Sequence, residues 1–84
     1  VRPPARIRYM LTRPADRVRV FIHDVTGQRI QTLEGPGNTG ANIVSWDLDT
    51  RRGHGIANGV YLFTMEAEDS ERKAKARGKI AVLR

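Results

Sequence analysis

Apolar and polar residues alternate along most of the chain, and this alternation predicts β-strands. In the segment 6–11, "RIRYML", every second residue is apolar and arginines stand between. The same pattern returns in 17–24, "RVRVFIHD", and in 42–47, "NIVSWD". A period of two puts successive side chains on opposite faces, so each segment predicts a strand with one buried face. The predicted inward residues are Ile7, Tyr9, Leu11, Val18, Val20, Ile22, Val44 and Trp46.

The segment 60–66, "VYLFTME", differs because apolar residues occupy both of its faces. Tyr61 and Phe63 share one face, and Leu62 lies on the other. A strand that is apolar on both sides is typical of a central position in a sheet, where it contributes much of the core. Asn58-Gly59 precedes it, a turn pair that tolerates positive φ and can start a strand at once.

Glycine-rich and polar segments separate the predicted strands. Gly27 in "DVTGQ" stands where a hairpin loop needs a residue with positive φ, and the chain then reverses into "RIQTL". The segment 68–77, "EDSERKAKAR", has no apolar stripe, which predicts a polar hairpin or a mobile loop. "GKIAVLR" at 78–84 predicts a last strand with Ile80 and Val82 facing inward.

About seven short β segments and no helix predict an all-β, antiparallel sandwich. With 84 residues, the chain is expected to form a single domain over 6–84, and the proline-containing start at 1–5 is expected to be the end of a linker. Trp46 is predicted to be buried against Val20, Ile22 and either Tyr61 or Phe63. Gly27 and Gly59 are predicted to have backbone angles that other residues adopt poorly.

The net charge of +6 is distributed unevenly. Residues 1–23 carry six arginines and one aspartate, and residues 72–84 carry six basic residues and no acid, whereas 24–71 are acidic overall. Such basic ends are typical either of an anion-binding surface or of strands protected against aggregation. If the first and last strands are neighbours, they form one basic region that binds an acidic partner; its candidate residues are Arg6, Arg8, Arg17, Arg19, Lys75, Arg77 and Lys79.

The residue types argue against catalysis and against a resident cofactor. The chain has no cysteine and only two histidines, His23 in a predicted strand and His54 in a distant loop, so a nucleophile with a base beside it is not indicated. Asp47, Asp49 and Thr50 could supply oxygen ligands to calcium, but the adjacent Arg51-Arg52 pair opposes a cation there. We therefore expect no catalytic residue and no metal site.

The segments "ARIRYML", "VRVFIHDVTGQRIQTL", "NIVSWDLDTRRGHGIANGVYLFTME" and "GKIAVLR", in this order, resemble the immunoglobulin-like domain of flagellar hook-capping proteins. A similar domain ends many secreted bacterial proteins, where it resembles the C-terminal sorting domain of the type IX secretion system. The family patterns are "[IV]YDxxGxxVxxL" and "WDGxDxxGxxVxSGVY". This chain departs from them at His23, where tyrosine is usual, at Leu48, where glycine is usual, and at Gly55, where proline is common. The resemblance implies an immunoglobulin-like sandwich.

Three functional classes follow. The resemblance implies a non-catalytic module, the C-terminal domain of a secreted or envelope protein, which serves secretion, anchoring or assembly through protein contacts in the periplasm, at the cell surface or outside the cell. An accessory extracytoplasmic subunit docked on a larger membrane-associated complex is the alternative. Nucleic-acid binding is disfavoured, because Phe21 is almost the only outward aromatic residue and no recognition helix is indicated.

Overall fold

Six antiparallel strands form two sheets in the computed structural model, which describes residues 4–50 and 52–83. β1 pairs with β4 in a two-stranded sheet, and the other four strands form a sheet in the order β3-β2-β5-β6. The predicted all-β antiparallel fold is confirmed, with six strands instead of about seven. The strands are β1 (Ala5–Leu11), β2 (Arg17–His23), β3 (Arg29–Gly35), β4 (Gly40–Trp46), β5 (Gly59–Glu68) and β6 (Lys73–Val82).

The core lies between the two sheets and consists of the residues that the alternation assigned to the interior. β2 contributes Val18, Val20 and Ile22, and β4 contributes Val44 and Trp46; all five are buried. Because strand side chains alternate, the polar residues between them face outward on both sheets. The central position predicted for the "VYLFTME" strand is confirmed, since β5 lies between β2 and β6.

Trp46 is fully buried, as predicted, and it contacts Tyr61 of the opposite sheet. The two rings meet edge to face, with centroids 5.9 Å apart and an interplanar angle of 75°. The indole Nε1 donates a hydrogen bond of 2.9 Å to the carbonyl oxygen of Asp49, so the one polar atom of the ring is satisfied inside the core. Trp46 therefore joins both sheets and the loop that follows β4.

The segment predicted to be a polar hairpin or mobile loop is mostly strand. Residues 69–72 do form a tight turn, in which the Asp69 carboxylate accepts hydrogen bonds of 2.8 Å from the backbone N–H groups of Glu71 and Arg72. From Lys73 onward the chain pairs with β5, so the polar hairpin is confirmed and the alternative of a mobile loop is wrong. Lysine or arginine alternates with small residues in this stretch. The sequence has little apolar content, but it forms a strand because it pairs with the central strand β5.

β1 begins at Ala5, which is buried and belongs to the sandwich. Ala5, which was assigned to the predicted linker at 1–5, is thus part of the folded domain, and residues 1–3 lie outside the described part of the chain. Ile7 of β1 is also buried, in agreement with the alternation.

The β2–β3 hairpin is organised by Asp24. Its Oδ1 accepts hydrogen bonds from the Thr26 hydroxyl at 2.6 Å and from the backbone N–H groups of Thr26 and Gln28 at 3.0 and 3.1 Å. The Thr26 hydroxyl and these N–H groups lower the pKa of Asp24. Gly27 has a φ of +91°, which confirms the predicted positive φ and follows from the short loop. Gly59, at the start of β5, also has a positive φ, of +154°.

Gly27→Val is expected to lower the free energy of unfolding by more than about 1 kcal/mol. A Cβ added at this position would meet no atom within 4 Å, so the loss would come from the backbone angle and not from a clash. Urea denaturation measures the change. Gly27→Asn is the matched control and should lose less, because asparagine adopts left-handed angles more easily than valine. Equal stability of both variants and the wild type would show that the turn has no such requirement.

The loop from β4 to β5 folds back on itself. Asp49 forms an isolated antiparallel bridge with Gly55, and the Thr50 hydroxyl accepts hydrogen bonds from two backbone N–H groups later in the loop. Leu48 is fully buried in this loop although its φ is +59°. A leucine in a left-handed conformation carries a backbone cost, which its buried side chain offsets.

Candidate interaction surface

The outer face of the four-stranded sheet carries five of the seven predicted basic residues. Since the apolar residues of β2 point into the core, Arg17 and Arg19 project from this face. On β6, Lys75, Arg77 and Lys79 project from the same face, because they stand opposite Glu66, Thr64 and Leu62 of β5. The structure thus brings basic residues from two distant segments onto one surface, with β5 between them.

Arg6 and Arg8 do not join this surface. They project from β1, on the outer face of the two-stranded sheet, and the core separates this face from the other sheet. The prediction of one basic region containing all seven residues is therefore wrong for these two. Its premise was that the first and last strands are neighbours, whereas β1 pairs with β4 and β6 pairs with β5.

Ion pairs neutralise one end of the four-stranded sheet. Glu66 and Glu68 of β5 stand between the basic residues of β2 and β6, and Arg19 approaches them at 3.7 and 3.8 Å. Lys73 lies 3.6 Å from Glu66 and 3.8 Å from Glu68, and Lys75 lies 3.9 Å from Glu66. The two half-buried carboxylates thus form ion pairs with three cations. Sequence analysis missed this cluster because the pairing register, and not the strand pattern, places the residues together.

Arg17 and Phe21 also project from the outer face of β2, and both contact charged residues there. Arg17 forms an ion pair of 3.1 Å with Glu34 of β3. Phe21 lies between two guanidinium groups, with Arg19 at 5.3 Å and Arg29 at 5.2 Å from its ring centroid. At these distances the cations interact with the ring and cover it, so Phe21 is half-buried although it faces outward.

The other end of the sheet has a different character. Within residues 4–50 and 52–83, Arg77 and Lys79 have no carboxylate at ion-pair distance, whereas Arg17 and Lys75 each have one and Arg19 has two. Leu62 stands opposite Lys79 on β5 and is 37% exposed, and Val60 on the same face is 45% exposed. His23, opposite Leu62 on β2, completes this group. We call these five residues the Arg77–Lys79 patch: Arg77, Lys79, Leu62, Val60 and His23.

A shallow cavity of about 420 Å³ lies at the Arg77–Lys79 patch. Its walls include four patch residues, namely His23, Leu62, Arg77 and Lys79. The patch therefore combines exposed aliphatic side chains with two unpaired cations around a shallow depression. Chemically, it suits a partner surface that has a carboxylate rim and a small apolar centre.

The described residues contain no arrangement that indicates metal binding. No group of three or more His, Asp or Glu side chains in this part of the chain could hold a metal ion. His23 and His54 lie in β2 and in the β4–β5 loop. The Asp49 carboxylate accepts a hydrogen bond of 3.2 Å from Gln31 Nε2, which is a structural contact between β3 and the loop.

The profile of the FlgD Ig-like domain matches residues 3–71, most of the chain. The chain belongs to the FlgD Ig-like domain family. The FlgD Ig-like domain is a structural and assembly domain, not a known enzyme family. No curated protein matches the chain. No helix among the described residues is long and apolar enough to cross a membrane.

One departure from the family pattern given above coincides with an unusual backbone conformation. Leu48 stands where that pattern has glycine, and its φ is +59°. This conformation favours glycine, yet here it holds a leucine whose side chain is buried in the core. The basic residues of the Arg77–Lys79 patch come from β6, which follows the last matched residue, 71.

Proposed function

We propose that this FlgD Ig-like domain is a non-catalytic assembly module that binds a protein partner outside the cytoplasm through its Arg77–Lys79 patch. Membership of an assembly family supports a role in protein contacts. The family name supports a flagellar or envelope setting, in which the module contributes to assembly, anchoring or secretion.

The observation that carries the proposal is the contrast between the two ends of one sheet face. Glu66 and Glu68 neutralise the cations at one end, so a partner would gain little by approaching them. Arg77 and Lys79 keep their full charge for an external anion, because no described carboxylate is within ion-pair distance of either. The attraction between a partner and this domain is thus concentrated at the patch.

The exposed aliphatic residues indicate a protein partner. Leu62 and Val60 are neighbours on the outer face of β5; Leu62 stands opposite Lys79, and Val60 lies one row further along. Protein interfaces commonly have an apolar centre with a polar rim, and desolvation of the centre strengthens the charged contacts around it. We infer a partner surface that has acidic residues around a small aliphatic area. Electrostatic attraction of this kind mainly raises the association rate and weakens as salt increases.

The proposal predicts a photo-cross-link at position 62. A photoreactive phenylalanine analogue at this position, in the parent protein in its own cells, should form an adduct with an envelope or flagellar protein. The same analogue at position 43, which is 46% exposed on the opposite sheet, should not form this adduct. A cross-link to lipid alone, or equal adducts at both positions, would contradict a protein-binding patch.

Charge reversal tests the electrostatic part. Arg77→Glu with Lys79→Glu should slow association with the cross-linked protein about tenfold at low salt, while the melting temperature changes little. Arg29→Glu with Arg52→Glu is the matched control, since it changes the net charge equally at exposed residues outside the patch and outside β1. Equal slowing in both variants would show that net charge, and not the patch, governs binding.

A further inference from the structure

The two-stranded sheet covers only part of the four-stranded sheet, and this difference in width points to a second binding site. Four strands on one side face only two on the other. Strands in a sheet are about 4.8 Å apart, so β1 and β4 cover about half the width of the larger sheet. Among the described strands, only β3 and β4 approach each other across the core with Cα atoms within 8 Å. The sandwich is therefore closed at β3 and open along the first half of β6, whereas Val82 at the end of β6 is buried in the core.

The inner face of β6 lies on the open side. Ala74 and Ala76 belong to this face and are exposed, and Gly78 is covered by the ring of Phe63 from the neighbouring strand. A groove of about 240 Å³ separates the end of β1 from the start of β6, with Leu11 on one side and Ala74 on the other. Small residues leave room over β6 where side chains of another strand would pack.

Among the described strands, none pairs with the edge of β1 that borders this open side. β1 pairs only with β4, and no backbone hydrogen bond from elsewhere in the described chain reaches its other edge. An edge of this kind offers a row of N–H and C=O groups to an extended segment. β6 also has a free edge, but a strand added there would extend beyond the smaller sheet and would cover none of the exposed inner face.

The positive charge on β1 indicates what kind of extended segment would pair with its free edge. Arg6 and Arg8 project outward, and in the described part of the chain neither has a carboxylate at ion-pair distance. Side chains of adjacent strands are about 5 Å apart, so a neighbouring strand should carry acidic residues at its outward positions. No edge strand of a second copy offers such a row of acids: β1 and β6 carry basic residues, β4 carries no charged residue, and the single acid of β3, Glu34, already pairs with Arg17.

We infer that the free edge of β1 binds an extended segment of a partner protein as a third strand of the smaller sheet. The segment matches the seven residues of β1 and alternates acidic with apolar residues. Its acidic side chains lie beside Arg6 and Arg8, and its apolar side chains pack over Ala74, Ala76 and Ile80. This site is independent of the proposed Arg77–Lys79 patch, which lies on the outer face of the opposite sheet.

A peptide of about eight residues that alternates glutamate and valine is the probe, with a lysine–valine peptide of equal length as its control. NMR hydrogen exchange of the 84-residue chain at low salt is the measurement. The glutamate peptide should slow exchange about tenfold at alternate β1 amides, and the lysine peptide should not. Arg6→Glu with Arg8→Glu should reverse this preference.

Several outcomes would overturn the inference. Slowed amide exchange at β6 instead of β1 would show that the peptide binds at the other sheet edge. Chemical-shift changes of the arginine side chains without slowed amide exchange would show that the peptide makes only ionic contacts. Concentration-dependent protection of β1 without peptide, together with a dimer in sedimentation, would make a second copy the occupant. The Arg77→Glu, Lys79→Glu variant should bind the glutamate peptide within about twofold of wild type, so failure of the proposed function would remain distinguishable.

Discussion

Trp46→Ala is expected to lower the free energy of unfolding by about 3 to 5 kcal/mol, the largest loss for a single substitution in this chain. The change removes a fully buried indole, its edge contact with Tyr61 and its hydrogen bond to Asp49. Small domains are stable by about 5 to 15 kcal/mol, so at the lower end of this range the loss removes most of the stability. Amide NMR dispersion and thermal denaturation measure the loss.

Trp46→Phe keeps the experiment informative if the alanine variant does not fold. Phenylalanine retains an aromatic ring beside Tyr61 but cannot donate a hydrogen bond to the Asp49 carbonyl oxygen. It should therefore lose less than alanine. In the wild type, Trp46 is the only tryptophan, so the fluorescence maximum reports on this residue alone. A maximum typical of a water-exposed indole would contradict the core position.

At Leu48, alanine and glycine are expected to reverse their usual order of stability. Leu48→Ala should cost about 2 to 5 kcal/mol, because it removes a fully buried side chain and keeps a Cβ at a positive φ. Leu48→Gly removes the same side chain but relieves the backbone, so it should be about 1 kcal/mol more stable than the alanine variant. Urea denaturation compares the two proteins.

Val44 provides the control for this pair. It is buried in β4 and has no positive φ, so Val44→Gly should be less stable than Val44→Ala. The order at position 48 would then be opposite to the order at position 44. If glycine is the weaker replacement at both positions, the backbone of Leu48 carries no appreciable cost.

Period-two alternation predicts the interior of this sandwich well, because burial of one face imposes it on the sequence. Val20 and Trp46 lie where the pattern assigned them. Alternation did not decide between a hairpin and a mobile loop for Lys73–Arg77, since the inner residues Ala74 and Ala76 are small and exposed, and an exposed face requires no apolar stripe. Alternation thus reports burial more directly than it reports strand pairing.

The candidate site was predicted less completely than the fold. That Arg17 and Lys75 face outward on one sheet follows from alternation, but their neutralisation by Glu34 and Glu66 depends on the register. A period of two contains no information about which strands are neighbours. For this reason Arg6 was assigned to the wrong surface, and the significance of Leu62 beside Lys79 emerged only from the pairing of β5 with β6.

The pairing of β1 with β4 also has a consequence for how the chain folds. The β2–β3 and β5–β6 hairpins pair strands that are consecutive in the chain and close short loops. β1, in contrast, pairs with β4, which follows both β2 and β3 in the sequence. Non-local pairing of this kind slows folding, and all-β domains rich in it fold in milliseconds to seconds. During synthesis, the ribosome adds about 5 to 20 residues per second, so the first strand to emerge remains unpaired until Gly40–Trp46 has been made.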